Sequence, residues 1–195
     1  MKNKKINTYT SHCEVNNEDT FNILDRIIGF INNCDNKTAI VLGVFGVIIT
    51  VIFTTDGIGN IFEIINSTMT KISFFSIFFL ILWITSLGLF IIGLCKLITV
   101  LVAKIETADM RQIDLDLDSR IFFGTIAKNK NYKTYKEKLL SMDNDCFQND
   151  IISQIYINSL ICKKKFKNYN KGLLLAIIGF LCFMIIWIIG KIYLK

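Results

Sequence analysis

The chain has 195 residues, with 22 Lys and Arg against 16 Asp and Glu, a hydrophobic content of 52% and no proline. Proline averages about 5% of residues in proteins, so its absence argues against a loop-rich or sandwich fold and favours long uninterrupted helices. A mean hydropathy of +0.48 points the same way, and together these features predict an integral membrane protein.

The first part of the chain predicts a loose segment followed by a helix. Residues 1–19 are polar and rich in Asn, and we expect them to be flexible. Residues 20–35 predict an amphipathic lead helix. Its apolar positions recur at helical spacing: Leu24, Ile27, Ile28, Ile31 and Cys34. This helix either lies on the membrane surface or packs on a cytoplasmic part of the chain, and its few basic residues favour packing.

Apolar runs predict transmembrane helices at 38–55, 72–103 and 172–190. The second run exceeds the roughly 20 residues that a span needs, so we expect Lys96 to mark the interface and the helix to continue beyond it. The polar lead before the first run does not resemble a signal peptide, and the first span is expected to be a retained anchor.

Basic residues predict the orientation of the spans. Residues 104–171 carry 13 Lys and Arg, whereas residues 56–71 carry only Lys71. The positive-inside rule therefore places the N-terminus and residues 104–171 in the cytoplasm. The predicted fold is an all-α, multi-pass protein of the cell membrane, with three transmembrane helices and a small helical cytoplasmic module at 104–171.

A regular seam predicts one long helix late in the chain. Between Cys146 and Lys171 no Gly or Pro interrupts the pattern before Gly172, so the helix is expected to continue into the third span. The seam residues follow a spacing of 4, 3, 4, 4, 3 and 4: Ile151, Ile155, Asn158, Cys162, Phe166, Tyr169 and Leu173.

Small residues form stripes in the first and third spans. The first stripe is Ala39, Gly43, Gly46 and Thr50, and the third span carries Gly172, Ala176 and Gly179. Small side chains let membrane helices approach closely. These stripes predict either packing within one three-helix bundle or association between copies.

Enzyme signatures are absent from the sequence. It holds no phosphate-binding loop, no H-E-x-x-H and no G-x-S-x-G, and its single histidine is His12. Six cysteines occur without a C-x-x-C pair. We therefore predict that the chain is not an enzyme, with no catalytic residue, metal or cofactor. The spans contain no carboxylate, which argues against an ion-coupled transporter.

The cytoplasmic module carries features suited to a phosphate or a base. Arg111 and Arg120 flank an Asp-rich spacer, and arginine suits bidentate phosphate binding. Phe122 and Phe123 could stack on a base. Alternatively, the arginines pair with spacer carboxylates (Asp114, Asp116 or Asp118) while the Phe pair belongs to the core. The run KKKFK at 163–167 favours topology and attraction to anionic lipid, with nucleotide phosphate as the alternative.

Asp35 and Lys37 stand at the start of the first span. A carboxylate so close to the bilayer requires a partner, and Lys37, two residues on, does not share its helix face. We expect a partner for Asp35 among Lys163–Lys165, and Asp150 as the partner of Lys37. The two charges act either as a structural clamp between the lead helix and the late helix, or as ligand contacts.

Three stretches carry a resemblance to a known family: LDRIIGFINNCDNKTA, FFGTIA and DIISQIYINSLICKKKFKNYNKG. Over residues 21–190 they resemble the transmembrane effectors of bacterial Pycsar and related nucleotide-signalling antiphage systems. The matched positions are Asp35, Lys37, Phe123, Gly124, Ile126, Asp150, Gln154, Ile155, Asn158, Ser159, Lys165 and Phe166. Thr38 departs from the pattern, in which Ala is expected.

The resemblance implies an antiphage effector that responds to a cyclic nucleotide from a partner cyclase and impairs the inner membrane, causing abortive infection. The expected partners are that nucleotide, the lipid bilayer and further copies of the chain, with no nucleic acid polymer. The candidate ligand-binding or gating residues are Asp35, Lys37, Arg120, Phe123, Gly124, Asp150, Gln154, Asn158, Ser159 and Lys165. The alternatives are a non-signalling membrane scaffold or assembly partner and a holin-like pore former.

Overall fold

A computed structural model describes residues 16–70, 74–102 and 118–193. These residues form helices and no strand, which confirms an all-α fold. The helices are α1 (Asn17–Ile52), α2 (Thr55–Thr70), α3 (Phe74–Leu101), α4 (Phe123–Ile126), α5 (Tyr132–Leu140) and α6 (Asn144–Tyr193). Of these, α1, α3 and α6 are long and apolar enough to cross a membrane. His12, Arg111, Asp114 and Asp116 lie outside the described residues.

The lead helix and the first span form one continuous helix, α1, of 36 residues. Asp35 and Lys37 therefore interrupt the run of apolar residues, but the helix continues through them. The Thr38 side chain is buried, and its hydroxyl donates to the Cys34 carbonyl at 2.7 Å. A threonine at this position is thus satisfied within its own helix, which explains how it can replace an alanine.

The connection between the first two spans contains a helix of its own, α2. Helix α2 has 16 residues, and its length follows from a buried face that includes Ile64 and Thr68. Gly57 closes the turn from α1, because a Cβ there would lie 1.9 Å from the Ile52 carbonyl oxygen.

Helix α6 runs for 50 residues without a break, which confirms the predicted continuity of the late helix and the third span. The Asp143 carboxylate caps its N-terminus by accepting the Cys146 N–H at 2.8 Å. This backbone hydrogen bond holds the pKa of Asp143 below its usual value.

The described chain belongs to two compact units. The described residues within Met1–Ile27 and Met110–Asn158 form the module unit, and those within Ile28–Asp109 and Ser159–Lys195 form the span unit. Helices α1 and α6 each contribute residues to both. The core of the span unit joins Phe45, Phe90, Leu97 and Ala176, so α1, α3 and α6 pack directly on one another there. The Phe45 and Phe90 rings meet edge to face with centroids 5.3 Å apart.

The two stripes of small residues have different surroundings. A Cβ at Gly179 would lie 2.4 Å from the Phe90 nitrogen, and one at Gly93 would lie 2.3 Å from the Ala176 nitrogen. The stripe in α6 therefore permits close contact with α3. By contrast, a Cβ at Gly43 or Gly46 would meet none of the described residues within 4 Å, so the described part of the chain leaves the stripe in α1 uncovered at these glycines.

Enlarging Gly179 should damage the bundle far more than enlarging Gly43. We predict that Gly179→Leu destabilises the protein by about 3 kcal/mol or prevents folding, because its side chain would enter the α3 backbone. Gly43→Leu is the matched control and should leave the unfolding temperature of the detergent-solubilised protein nearly unchanged. Equal unfolding temperatures for the two variants would contradict this packing.

Candidate functional site

Lys165 joins three helices within the span unit. Its Nζ donates to Asp35 Oδ1 on α1 at 2.6 Å and to the Val100 carbonyl oxygen on α3 at 2.7 Å. The Lys165 side chain is only 13% exposed, and that of Asp35 is 33% exposed. The expectation that Asp35 finds its partner among Lys163–Lys165 is confirmed for Lys165. We call this arrangement the Lys165 clamp.

The clamp places a positive charge at the carboxyl end of α3. Val100 lies in the last turn of that helix, which ends at Leu101. Carbonyl oxygens at this end lack partners within the helix and carry the negative end of its dipole. A lysine ammonium has three donors, and two of them here have charged or dipolar acceptors. This offsets the desolvation of a largely buried charge.

Lys37 occupies a different environment from Asp35. Its side chain is exposed, whereas Asp35 faces Lys165. The predicted pairing of Lys37 with Asp150 would join residues of the two units and stays a prediction. Asp35 and Lys37 are expected to lie on different faces of α1, and their different exposure agrees with that expectation.

In the module unit, a buried carboxylate holds the segment around Arg120. Asp150 is fully buried, and its Oδ2 accepts the backbone N–H of Arg120 at 2.7 Å. On the other side of the residue, the Tyr135 hydroxyl donates to the Arg120 carbonyl at 3.2 Å. The neighbouring Ser119 hydroxyl oxygen accepts the N–H of Phe122 at 3.0 Å. These bonds fix the backbone that leads into α4.

Two buried polar atoms of this cluster lack a hydrogen-bond partner among the described residues: Asp150 Oδ1 and Arg120 Nε. An unsatisfied buried group costs roughly 1–3 kcal/mol. Arg120 also interacts with Asp143 and with Cys146 at the start of α6. One carboxylate oxygen and one guanidinium N–H thus retain unused hydrogen-bonding capacity, which suits a polar ligand or an ordered water.

An aromatic pair follows Arg120. The Phe122 and Phe123 rings have centroids 4.7 Å apart, and Phe123 is 76% exposed. Assignment of both rings to the core is therefore wrong for Phe123. Gly124 leaves space for the Phe122 ring, because a Cβ there would lie 2.6 Å from Phe122 Cε1. Asp118, one of the carboxylates considered as an arginine partner, forms an ion pair with Lys138.

The remaining candidate residues, Gln154, Asn158 and Ser159, lie on α6. Gln154 is buried, and its backbone carbonyl oxygen accepts a hydrogen bond from the Asn158 side-chain amide at 2.8 Å. Asn158 and Ser159 are half-buried. The module unit thus holds Arg120, Phe123, Gly124, Asp150, Gln154 and Asn158, and the span unit holds Asp35, Lys37, Ser159 and Lys165.

Among the described residues, three pairs of candidates are joined directly: Arg120 with Asp150, Gln154 with Asn158, and Asp35 with Lys165. Sequence analysis missed Tyr135 and the Val100 carbonyl. Tyr135 carries a weak signal, as an aromatic residue in a basic stretch. The Val100 carbonyl carries none, because every residue has a carbonyl.

This fold and these sites define a class of protein. It is a multi-pass helical membrane protein in which a buried lysine joins the spans, and its other unit carries an arginine–carboxylate cluster. The family model described as the Pycsar effector protein domain matches residues 19–190. The chain therefore belongs to the Pycsar effector family, whose members are transmembrane effectors of antiphage defence. This confirms the resemblance seen in the sequence.

Two curated relatives support this assignment. The chain is 32% identical over 178 residues to the Pycsar effector protein GmPycTM of Gulbenkiania mobilis, covering 87% of this chain and 90% of the relative. It is 27% identical over 155 residues to the Pycsar effector protein EcPycTM of Escherichia coli, covering 78% of each chain. No solved structure matches the chain.

Removing one member of the Lys165 clamp should cost more than removing both. Lys165→Met leaves Asp35 without its cation, so we predict a clear loss of stability, and Asp35→Asn should act similarly. In a double-mutant cycle, thermal unfolding in detergent should give a coupling energy of about 1–3 kcal/mol. Lys163→Met is the matched control and should have little effect. Strictly additive losses would show that the two side chains are not coupled.

Proposed function

We propose that the protein is activated by a cyclic nucleotide second messenger from a partner cyclase and then impairs the integrity of the inner membrane, causing abortive infection. Membership of the Pycsar effector family supports this function. In the proposed orientation, the N-terminus and residues 104–171 are cytoplasmic, so a nucleotide made in the cytoplasm can reach the module unit.

The proposed ligand site is the segment around Arg120 and Phe123. The observation that supports it best is a buried cluster with unused hydrogen-bonding atoms, Arg120 Nε and Asp150 Oδ1, close in sequence to the exposed Phe123. A guanidinium group suits the cyclic phosphate, and an exposed aromatic ring suits the base. Gln154 and Asn158 follow Asp150 on α6 and complete the proposed site.

The proposed signal passes along α6. Asp150 and Lys165 lie on this one unbroken helix, separated by about four turns. A ligand shifts an equilibrium only by its difference in affinity for the two states. We assign the Lys165 clamp to the resting state, so the nucleotide must bind better to an arrangement in which the clamp is weakened. In the active state, the uncovered stripe of α1 would contact a further copy.

Nucleotide binding should depend on Phe123. We predict that the purified protein binds a cyclic nucleotide from a panel of cyclic mono- and oligonucleotides, and that Phe123→Ala weakens this binding about tenfold, from loss of base stacking worth about 1–3 kcal/mol. Titration calorimetry measures both. Tyr132→Ala, which removes another exposed aromatic ring of the module unit, should bind as the wild type does. Absence of binding across the panel would contradict the proposal.

The cellular response should require both proteins. Co-expression with the cyclase should depolarise the inner membrane, measured with a potential-sensitive dye, whereas each protein alone should not. A scaffold would leave the membrane polarised in every case. A holin-like pore former would depolarise it without the cyclase, and either result would overturn the proposed function.

A further inference from the structure

Exposed lysines surround the cytoplasmic end of the bundle in the span unit. Lys37 on α1 and Lys163, Lys167 and Lys171 on α6 are exposed, and Lys96 on α3 is half-exposed. We call these five residues the lysine collar. They come from three separate helices, so only the packing of the bundle shows whether they lie at a similar depth.

Contacts between the helices place the collar within a narrow band. Asp35 and Lys165 form an ion pair. Lys37 lies two residues after Asp35, and Lys167 lies two residues after Lys165. On the other side, a Cβ at Gly172 would lie 3.1 Å from the Leu97 nitrogen and 3.1 Å from the Gly93 carbonyl oxygen. Lys96 and Lys171 are the immediate neighbours of Leu97 and Gly172. The collar residues therefore lie within about two helical turns of one another along the bundle.

Within the described residues of the span unit, the collar has little local charge compensation. In the described part of the span unit, the acidic residues are Asp35, Asp56 and Glu63. Asp35 is bound to Lys165. The other two belong to α2, whose Ile64 approaches Gly190 at the opposite end of α6. The run KKKFK thus divides between two roles, because Lys165 turns inward to the clamp while Lys163 and Lys167 face outward.

Lipid-facing residues adjoin the collar on its membrane side. Ile40 is 67% exposed and lies about one turn from Lys37, and Leu174 is 59% exposed and lies about one turn from Lys171. Ile92, about one turn from Lys96, is 51% exposed. Exposed aliphatic side chains on all three spans face the hydrocarbon core, so the collar stands where phospholipid headgroups begin.

We propose that the lysine collar binds the phosphate groups of anionic phospholipids and fixes the depth of the bundle in the membrane. Lysines distributed around a bundle suit many separate headgroups, whereas a soluble nucleotide requires groups that converge on one small ligand. Each lysine near an anionic surface contributes about 1 kcal/mol, equivalent to about fivefold in lipid affinity. The collar is independent of nucleotide activation, so its failure would leave the proposed function untouched.

Native mass spectrometry of the full chain in detergent, titrated with phosphatidylglycerol or phosphatidylcholine, tests the collar. The wild type should retain phosphatidylglycerol preferentially. Lys37→Gln/Lys167→Gln/Lys171→Gln should lose about a hundredfold in affinity for it while keeping the weak affinity for phosphatidylcholine. The matched control, Lys128→Gln/Lys133→Gln/Lys136→Gln, removes three exposed lysines of the module unit and should behave as the wild type does.

Three results would overturn the collar: equal retention of both lipids by the wild type, an unchanged triple variant, or an equal loss in the control variant. Inorganic phosphate in the same titration separates lipid from free anion, because displacement of phosphatidylglycerol at millimolar phosphate would show a general anion site. The single substitutions Lys37→Gln and Lys171→Gln keep the test open if the triple variant does not fold, since each should lose about fivefold.

Discussion

The two hydrogen bonds of one ammonium group bring together the three spans of this protein. Lys165 neutralises Asp35 on α1 and occupies the carboxyl end of α3 through the Val100 carbonyl. In an environment with little water, leaving either acceptor without a hydrogen-bond donor would cost free energy. Close contact of Gly93 with Ala176 then continues the packing of α3 on α6 toward the far end of the bundle. The clamp thus fixes the register of the helices at one end, and small residues allow close packing beyond it.

Much of the helical architecture could be predicted from the sequence, because hydropathy and the absence of proline act locally. The unbroken α6 followed from a seam without Gly or Pro before Gly172, and the clamp partner was expected among Lys163–Lys165. The choice of Lys165 could not be predicted, since it depends on which lysine faces both α1 and the end of α3. The length of α2 could not be predicted, because its buried face contacts distant parts of the chain, and such contacts leave no local pattern.

The candidate ligand cluster shows the same limit. The matched motifs indicated Asp150, and the scarcity of arginine in the module indicated Arg120. Neither signal showed that the carboxylate accepts the backbone N–H of Arg120 instead of pairing with its side chain. Backbone groups carry no residue-specific signal, so a side chain that supports a loop looks identical in the sequence to one that binds a ligand. Exposure of Phe123 depends on how α4 is held. Two hydrogen bonds hold it: the Phe122 N–H donates to the Ser119 hydroxyl oxygen, and the Tyr135 hydroxyl donates to the Arg120 carbonyl. Polar atoms that lack a hydrogen-bond partner can therefore be identified from the structure but not from the sequence.

The proposed role of the clamp links sensing to membrane damage, since α6 carries both the buried carboxylate of the module unit and Lys165. Its most direct measurement is the membrane potential of cells that produce Lys165→Met without any cyclase, compared with cells that produce Lys163→Met at the same level in the membrane. We predict depolarisation by Lys165→Met alone, because the resting arrangement loses the ammonium that joins its three helices. A membrane that stays polarised with fully inserted Lys165→Met, and that still depolarises when the cyclase is supplied, would contradict the clamp as the device that holds the resting state.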